Sequence, residues 1–239
     1  MKTIKKAFKI IVIALISLTL IMTVGLFIYT IDSYGPLPDM RDGINELNLD
    51  GIEIIDDFDQ ISFLVDQPKK NIVIIPGGKV KPESYQYLAA NLARSGYDVT
   101  IVKTLFNVAI LTPNYGARFL KDGIDNVVIG HSLGGTVGSI FSEGDLRVSH
   151  IIFLASYPIS RVSDKDVLVI TGELDLVLDH ERLFESQELM GDNAEKVEIE
   201  GGNHAQFGWY GPQKGDGVAL IDTKTQQDLV INLIIQFIG

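Results

Sequence analysis

The sequence predicts an α/β domain: a mostly parallel sheet with helices on both faces, carried behind one N-terminal transmembrane helix. Three observations predict it. Strand-like apolar runs alternate with helix-like ones from Ile52 onward. A glycine-flanked serine stands between a buried strand and a small-residue helix. Residues Ile10 to Ile31 form a run of 22 without a single charge.

The apolar run comes first. As a helix it rises about 33 Å, enough to cross a hydrocarbon core of about 30 Å. Lys2, Lys5, Lys6 and Lys9 precede it and no acid does, so residues 1–31 carry +4. By the positive-inside tendency the N-terminus stays in the cytoplasm and the rest lies outside. The run exceeds the apolar region of a cleaved signal peptide and ends in Leu26, Phe27, Ile28 and Tyr29 instead of a small-x-small site. An uncleaved signal anchor is therefore expected, with secretion after cleavage as the alternative. Residues 32–50, with Gly35-Pro36 and Pro38, read as a linker. Residues 51–239 read as the folded domain.

Within that domain, Ile52–Ile55 and Ile61–Val65 flank a polar turn that holds Asp56, Asp57 and Asp59, and predict an antiparallel pair. These acids lack the spacing of a calcium loop and are read as a solvated turn. Asn71–Pro76 is a continuous run, apolar from Ile72 on, as in a strand buried on both faces. Pro82–Ser95 predicts a helix with Tyr85, Leu88, Ala89 and Leu92 on one face. Strands follow at Tyr97–Val102, Asn126–Gly130, His150–Ala155, Val167–Thr171 and Lys196–Ile199. Helices are predicted at Tyr115–Lys121, Leu133–Ser142, His180–Met190 and Thr223–Ile238. Strands alternating with helices imply parallel pairing through right-handed crossovers.

Charge and composition narrow the function. The chain has 239 residues, 20 bases, 31 acids and no cysteine. Beyond the basic tip the balance is 16 bases against 31 acids, −15. That argues against nucleic acid, which needs clustered Lys and Arg. Without cysteine there is no disulfide, no thiolate metal site and no cysteine nucleophile. No cofactor or metal is called for.

The chemistry gathers at Gly130-His131-Ser132-Leu133-Gly134, a G-x-S-x-G pattern directly after the strand NVVI. A serine on a tight strand-to-helix turn needs neighbours without side chains, and the helix N-terminus points free N–H groups at it. The serine needs a base, and the base needs an orienting carboxylate, in the order Ser, acid, His. His131 lies inside the elbow, His150 begins a strand and His180 opens a helix. His204, in the glycine-rich loop after the last strand, is the expected base. Asp175, just after the strand Val167–Thr171, is the expected acid, with Glu173 and Asp179 as alternates. Two backbone N–H groups should hold an oxyanion. Leu133 supplies one, and Gly78 the other, with Lys79 as its alternate.

These residues together resemble the α/β-hydrolase superfamily from about Ile52 to the C-terminus. IIPGGKVKPESYQYLAANLARSGYDVTIV looks like its first strand, oxyanion loop and first helix, with Pro76 where many members have His. IGHSLGG is similar to its elbow, TGELDLV to its acid loop and GGNHAQFG to its histidine loop. The tail NHAQFGWYGPQKGDG resembles a small bacterial subgroup, some of it grouped near dienelactone hydrolases. Those use cysteine, whereas this chain has Ser132. Only Ser156 to Asp166 are available where many members insert a lid, so the fold should have a minimal lid or none. The site is then expected to be open, shaped by residues Phe106–Asn114 and Gln206–Val218. Phe207, Trp209 and Tyr210 form either its aromatic wall or packing for a long loop.

The resemblance implies a serine hydrolase of small-molecule carboxylic esters that works through an acyl-enzyme. An acyltransferase, thioesterase or amidase on the same fold is the alternative. So is a surface protein that binds without catalysing.

Overall fold

The computed structural model describes residues 2–239, which fall into two units that divide after Ser33. The first is essentially one helix, α1 (Lys2–Ile31). Its span Ile4–Tyr29 is long and apolar enough to cross a membrane, and none of that span is buried. The Thr19 and Thr23 hydroxyls donate to the carbonyls of Leu15 and Thr19 at 3.0 and 2.9 Å. Such bonds satisfy polar side chains inside the helix, as an apolar solvent requires.

The second unit, Tyr34–Gly239, is built on an eight-stranded sheet. Its strands are β1 (Glu53–Asp56), β2 (Gln60–Leu64), β3 (Asn71–Ile75), β4 (Asp98–Val102), β5 (Asn126–His131), β6 (Val148–Leu154), β7 (Asp166–Gly172) and β8 (Glu195–Ile199). The spatial order is β1-β2-β4-β3-β5-β6-β7-β8. The pairs β1–β2 and β2–β4 are antiparallel, and every pair from β4 onward is parallel. The expected hairpin is therefore the antiparallel edge of a mixed sheet.

The central strands alternate their side chains between two apolar layers, as the period of two demands. Ile72 and Ile74 of β3 belong to one layer with Leu88 and Leu92 of α3 (Gln86–Arg94). Val230 and Ile234 of the closing helix share that layer. Val73 and Ile75 belong to the other, with Val137 and Phe141 of α4 (Leu133–Ser142). Helices thus cover both faces. The expected elements are all present with local differences. Pro82–Tyr85 is a tight 3-10 turn leading into α3. Gly116–Phe119 is likewise 3-10. The predicted His180–Met190 helix is divided at Ser186 into α5 (His180–Glu185) and α6 (Gln187–Met190). The last helix is α7 (Thr223–Ile238).

One boundary needs correction. Most of the stretch expected as a linker, residues 32–50, belongs to the folded unit from Tyr34 on. Tyr34 forms a parallel bridge with Val80, and Pro36 an antiparallel one with Tyr210. Residues Pro38–Asn45 form the helix α2. Its Met40 is buried in the core, and Gly43 packs on Tyr87 and Trp209. The cause is physical. Pro38 occupies the first turn of α2, where its missing N–H costs nothing. A few apolar side chains here fill a core made elsewhere. Composition registers the prolines and glycine but not the docking.

Candidate active site

Ser132 sits between the end of β5 and the start of α4. Its backbone takes φ 51° and ψ −125°, a conformation that side-chain-bearing residues avoid. The surroundings hold it there. Its N–H donates to the Leu154 carbonyl at 2.9 Å, and its carbonyl accepts from Ser156 Oγ at 2.5 Å and Gly135 N–H at 3.0 Å. The glycines are required by contact. A Cβ on Gly130 would lie 2.2 Å from Gly135 Cα, and one on Gly134 would lie 2.1 Å from the Ile75 carbonyl oxygen. Both clash with backbone, which cannot step aside as a side chain can.

His204 and Asp175 come together. The imidazole Nδ1 lies 2.8 Å from Asp175 Oδ2, and both side chains are buried. Asp175 Oδ1 accepts the backbone N–H groups of Val177 and Leu178 at 2.9 and 2.8 Å. One carboxylate oxygen is thus fixed by its own loop, which leaves the other for the histidine. The alternates serve elsewhere. Glu173 accepts the Gly201 N–H at 2.8 Å, and Asp179 caps α5 through the Arg182 N–H at 3.0 Å. His204 Nε2 is buried and has no hydrogen-bond partner among the described residues. Ser132 is not bonded to it, but both residues line one cavity of about 390 Å³.

Gly78 and Leu133 are neighbours: a Cβ on Gly78 would lie 3.2 Å from Leu133 Cδ2. Neither backbone N–H donates to another group among the described residues. The N–H of Lys79, the alternate, is already spent on the Asn107 carbonyl at 2.8 Å. The loop is braced from below. The Gly77 N–H donates to the Tyr85 hydroxyl at 2.9 Å, and that hydroxyl lies 2.7 Å from His131 Nδ1. The two imidazoles of His131 and His204 lie 4.7 Å apart between ring centres. Burial, with His204 adding to it, holds the His131 imidazole well below the usual histidine range. Burial also pushes the Tyr85 phenol up, so both stay neutral.

The cavity is lined by Leu133, Ala155, Tyr157, Ile159, Val177 and Leu178, with Arg182 and Asp179 among its polar residues. No helix or strand interrupts residues 155–165, so the expected lack of a lid holds. Two expectations about the walls do not. Residues 106–114 and 206–218 do not line this cavity. Phe207, Trp209 and Tyr210 are buried in the core, so they are packing and not an aromatic wall. Trp209 donates to Asp39 at 3.0 Å and Tyr210 to Gln213 at 2.9 Å, which draws their polar ends into the fold.

One residue escaped the sequence reading. Asp216 accepts the N–H groups of His204 and Ala205 at 3.3 and 2.9 Å, and so clamps the backbone that carries the imidazole. Beside it, Gly217 touches both neighbouring loops. Its carbonyl accepts from Asn203 Nδ2 at 2.8 Å, and a Cβ on it would meet the Leu174 carbonyl oxygen at 2.0 Å. The signal available was the Gly215-Asp216-Gly217 spacing, whose target lies on another loop. Among the described residues no group of three or more His, Cys, Asp or Glu could hold a metal.

Comparison with known proteins places this geometry. Residues 71–228 match the alpha/beta hydrolase family. No curated protein matches the chain. Among solved structures, a predicted CIB-like hydrolase from Thermoplasma acidophilum is similar with a TM-score of 0.57 and 14% identity, covering 77% of this chain and 99% of its own. A dienelactone hydrolase from Anabaena variabilis has a TM-score of 0.57 and 10% identity, covering 78% and 99%. The thermophilic esterase Est2 from Thermogutta terrifontis, with butyrate bound, has a TM-score of 0.53 and 14% identity, covering 79% and 95%. At such identities the likeness is one of fold. The family match spans most of the chain, including the elbow, the acid loop and the histidine loop, and by it the chain belongs to the alpha/beta hydrolase family.

Proposed function

We propose that this protein is a serine hydrolase of carboxylic esters. The observation that carries this is the 2.8 Å bond between Asp175 and His204, with the unpartnered Nε2 of that histidine in a cavity shared with the strained Ser132. Ser132 Oγ attacks the acyl carbon while His204 Nε2 takes its proton. Asp175 holds the imidazole and stabilises its charged form. The free N–H groups of Gly78 and Leu133 hold the negative oxygen of the tetrahedral intermediate, each contributing about 3–4 kcal/mol in sites of this type. His204 then protonates the departing alcohol. Water, activated by the same imidazole, releases the acid from the acyl-enzyme and restores the serine. The short apolar lining of the cavity suits a small acyl group.

The apolar helix α1 is read as an uncleaved anchor, with the basic tip inside and the catalytic domain outside the cytoplasm. Retention of the full-length chain in carbonate-washed membranes supports the anchor, and release of a shortened soluble form refutes it. The catalytic test is labelling by a fluorophosphonate. Wild type should label and Ser132→Ala should not. Absence of labelling in wild type, or equal labelling of both, sinks the proposal.

A further inference from the structure

The parallel strands end on one edge of the sheet, and that edge carries the elbow, the acid loop and the histidine loop. It also gathers most of the large apolar side chains that this unit exposes. Phe58, in the turn between β1 and β2, lies there because Gln60 of antiparallel β2 pairs with Val102 at the end of β4. Leu105 and Leu111 follow β4, Ile159 follows β6, Leu176 follows β7 and Val218 follows β8. Phe58, Leu176 and Val218 are 80%, 73% and 86% exposed, an unfavourable arrangement in water for three side chains with no role in the core.

The same edge receives the chain from α1. Only Asp32 and Ser33 separate Ile31, the end of that helix, from Tyr34. The Tyr34 N–H donates to the Lys79 carbonyl at 2.7 Å, and its carbonyl accepts the Lys81 N–H at 2.8 Å. The attachment is therefore to the loop that contains Gly78. Two lysines lie beside Tyr34 within an acidic domain. Lys81 packs over Gly35, and Lys214 donates its N–H to the Tyr34 hydroxyl at 3.3 Å. Both side chains are exposed, and neither forms an ion pair among the described residues. Lysines beside a membrane attachment complement anionic headgroups.

We infer that this catalytic edge rests on an anionic bilayer surface and that the ester it takes is one held in that bilayer. The inference rests on the anchor and the esterase reading above, and it names the substrate class: an amphiphile whose ester group lies at the headgroup level. The apolar rim would bury in the interface, the lysines would meet lipid phosphates, and the open mouth would receive the ester without its leaving the membrane.

The test uses the absence of cysteine. Phe58→Cys, Leu111→Cys and Val218→Cys each take one environment-sensitive dye on the edge. Leu146→Cys takes it just before β6, at the opposite end of the strands, where Leu146 is 94% exposed. The full chain is placed in vesicles of phosphatidylcholine and phosphatidylglycerol. Nitroxide-labelled lipid should quench the three edge dyes at least about twofold more than the fourth. Equal quenching by aqueous iodide at all four sites overturns the proposal. So does an edge shielded from both quenchers, because a protein partner or second copy then covers it. A chain lost from the vesicle pellet removes the anchor and overturns the proposal on that ground, visible before any quenching. None of these readouts depends on activity, so failure of the esterase reading is seen separately. The substrate class is tested by Phe58→Glu combined with Leu111→Glu. Turnover of a butyryl ester of a glycerol that also carries two ether-linked hexadecyl chains, which hold it in the vesicle, should fall about tenfold while turnover of p-nitrophenyl acetate is unchanged. Equal turnover of the glycerolipid by wild type and variant overturns it.

Discussion

Replacing Asp216 tests whether the long loop before α7 serves the active site or merely fills space. Its carboxylate accepts the His204 N–H at 3.3 Å and the Ala205 N–H at 2.9 Å, and its own loop supplies the Gly217 N–H at 2.8 Å. A hydrogen bond to a charged group contributes about 1.5–3 kcal/mol net. Of the two bonds between loops, the longer belongs at the low end. Asp216 is half-buried, so water replaces part of what Asp216→Ala removes. A loss of about 2–3 kcal/mol of unfolding free energy follows. Activity should suffer more. The imidazole keeps its bond to Asp175, but the backbone beneath it gains freedom, and a displacement of about 1 Å costs on the order of 100-fold in rate. Asp216→Asn keeps one acceptor and turns an amide N–H group toward the other donor, so it should fall between wild type and alanine. Urea unfolding gives the first quantity and turnover of p-nitrophenyl acetate the second, with kcat expected to fall more than KM rises. Wild-type kcat in Asp216→Ala would refute the clamp, whatever its stability.

Three further predictions concern the site and its supports. Asp175→Asn should lower kcat about 10⁴-fold through the wrong imidazole tautomer, whereas Glu173→Gln, which touches only the Gly201 N–H, should stay within about tenfold; the reverse ranking on the same ester reassigns the acid. Gly134→Ala places a Cβ 2.1 Å from the Ile75 carbonyl oxygen and should destabilise the fold by about 3 kcal/mol or more, read from the urea midpoint; an unchanged midpoint contradicts the geometry of the elbow. Burial keeps the His131 imidazole neutral in the fold, whereas in the unfolded chain it takes a proton near pH ~6.5. Stability from this source is therefore complete above that pH and falls by about 1.4 kcal/mol per pH unit below it, with the buried His150 shifted the same way. A His131→Asn variant that keeps the full slope shows that the effect lies elsewhere.

Much of this was legible because the signals are local. Asn71–Ile75 reads as a central strand since every residue is buried and nearly all are β-branched. The elbow reads from its glycines because a backbone clash at 2.1–2.2 Å leaves no other residue type. Asp175 and His204, which the fold brings to 2.8 Å of each other, are singled out by chain order and position after strands, which is topology more than chemistry. What stayed hidden depends on partners far along the chain. Trp209 finds Asp39, 170 positions away, and Tyr34 finds Val80. Neither pairing leaves a mark in local periodicity, so residues 34–50 look like a tether and the aromatic trio like a wall. Asp216 is illegible for the same reason: a carboxylate between two glycines reads as a solvated turn until the loop it caps is known.

The three loops of the candidate site are held in one way, which explains how a site without a lid keeps its geometry. Each is fixed by a side chain that satisfies backbone polar groups. Asp175 takes the N–H groups of Val177 and Leu178, Asp216 those of His204 and Ala205, and Tyr85 that of Gly77. Ser156 takes the remaining role by donating to the carbonyl of Ser132. Backbone groups have few degrees of freedom, so a bond to them fixes a loop more firmly than a bond between two long side chains. The strain at Ser132 can persist because these bonds over-determine it. A lid would add water exclusion, but none fits between Leu154 and Asp166. Under the proposal that this edge rests on a bilayer, the membrane surface would supply that exclusion from outside, and the exposed apolar rim and the braced loops would serve one purpose.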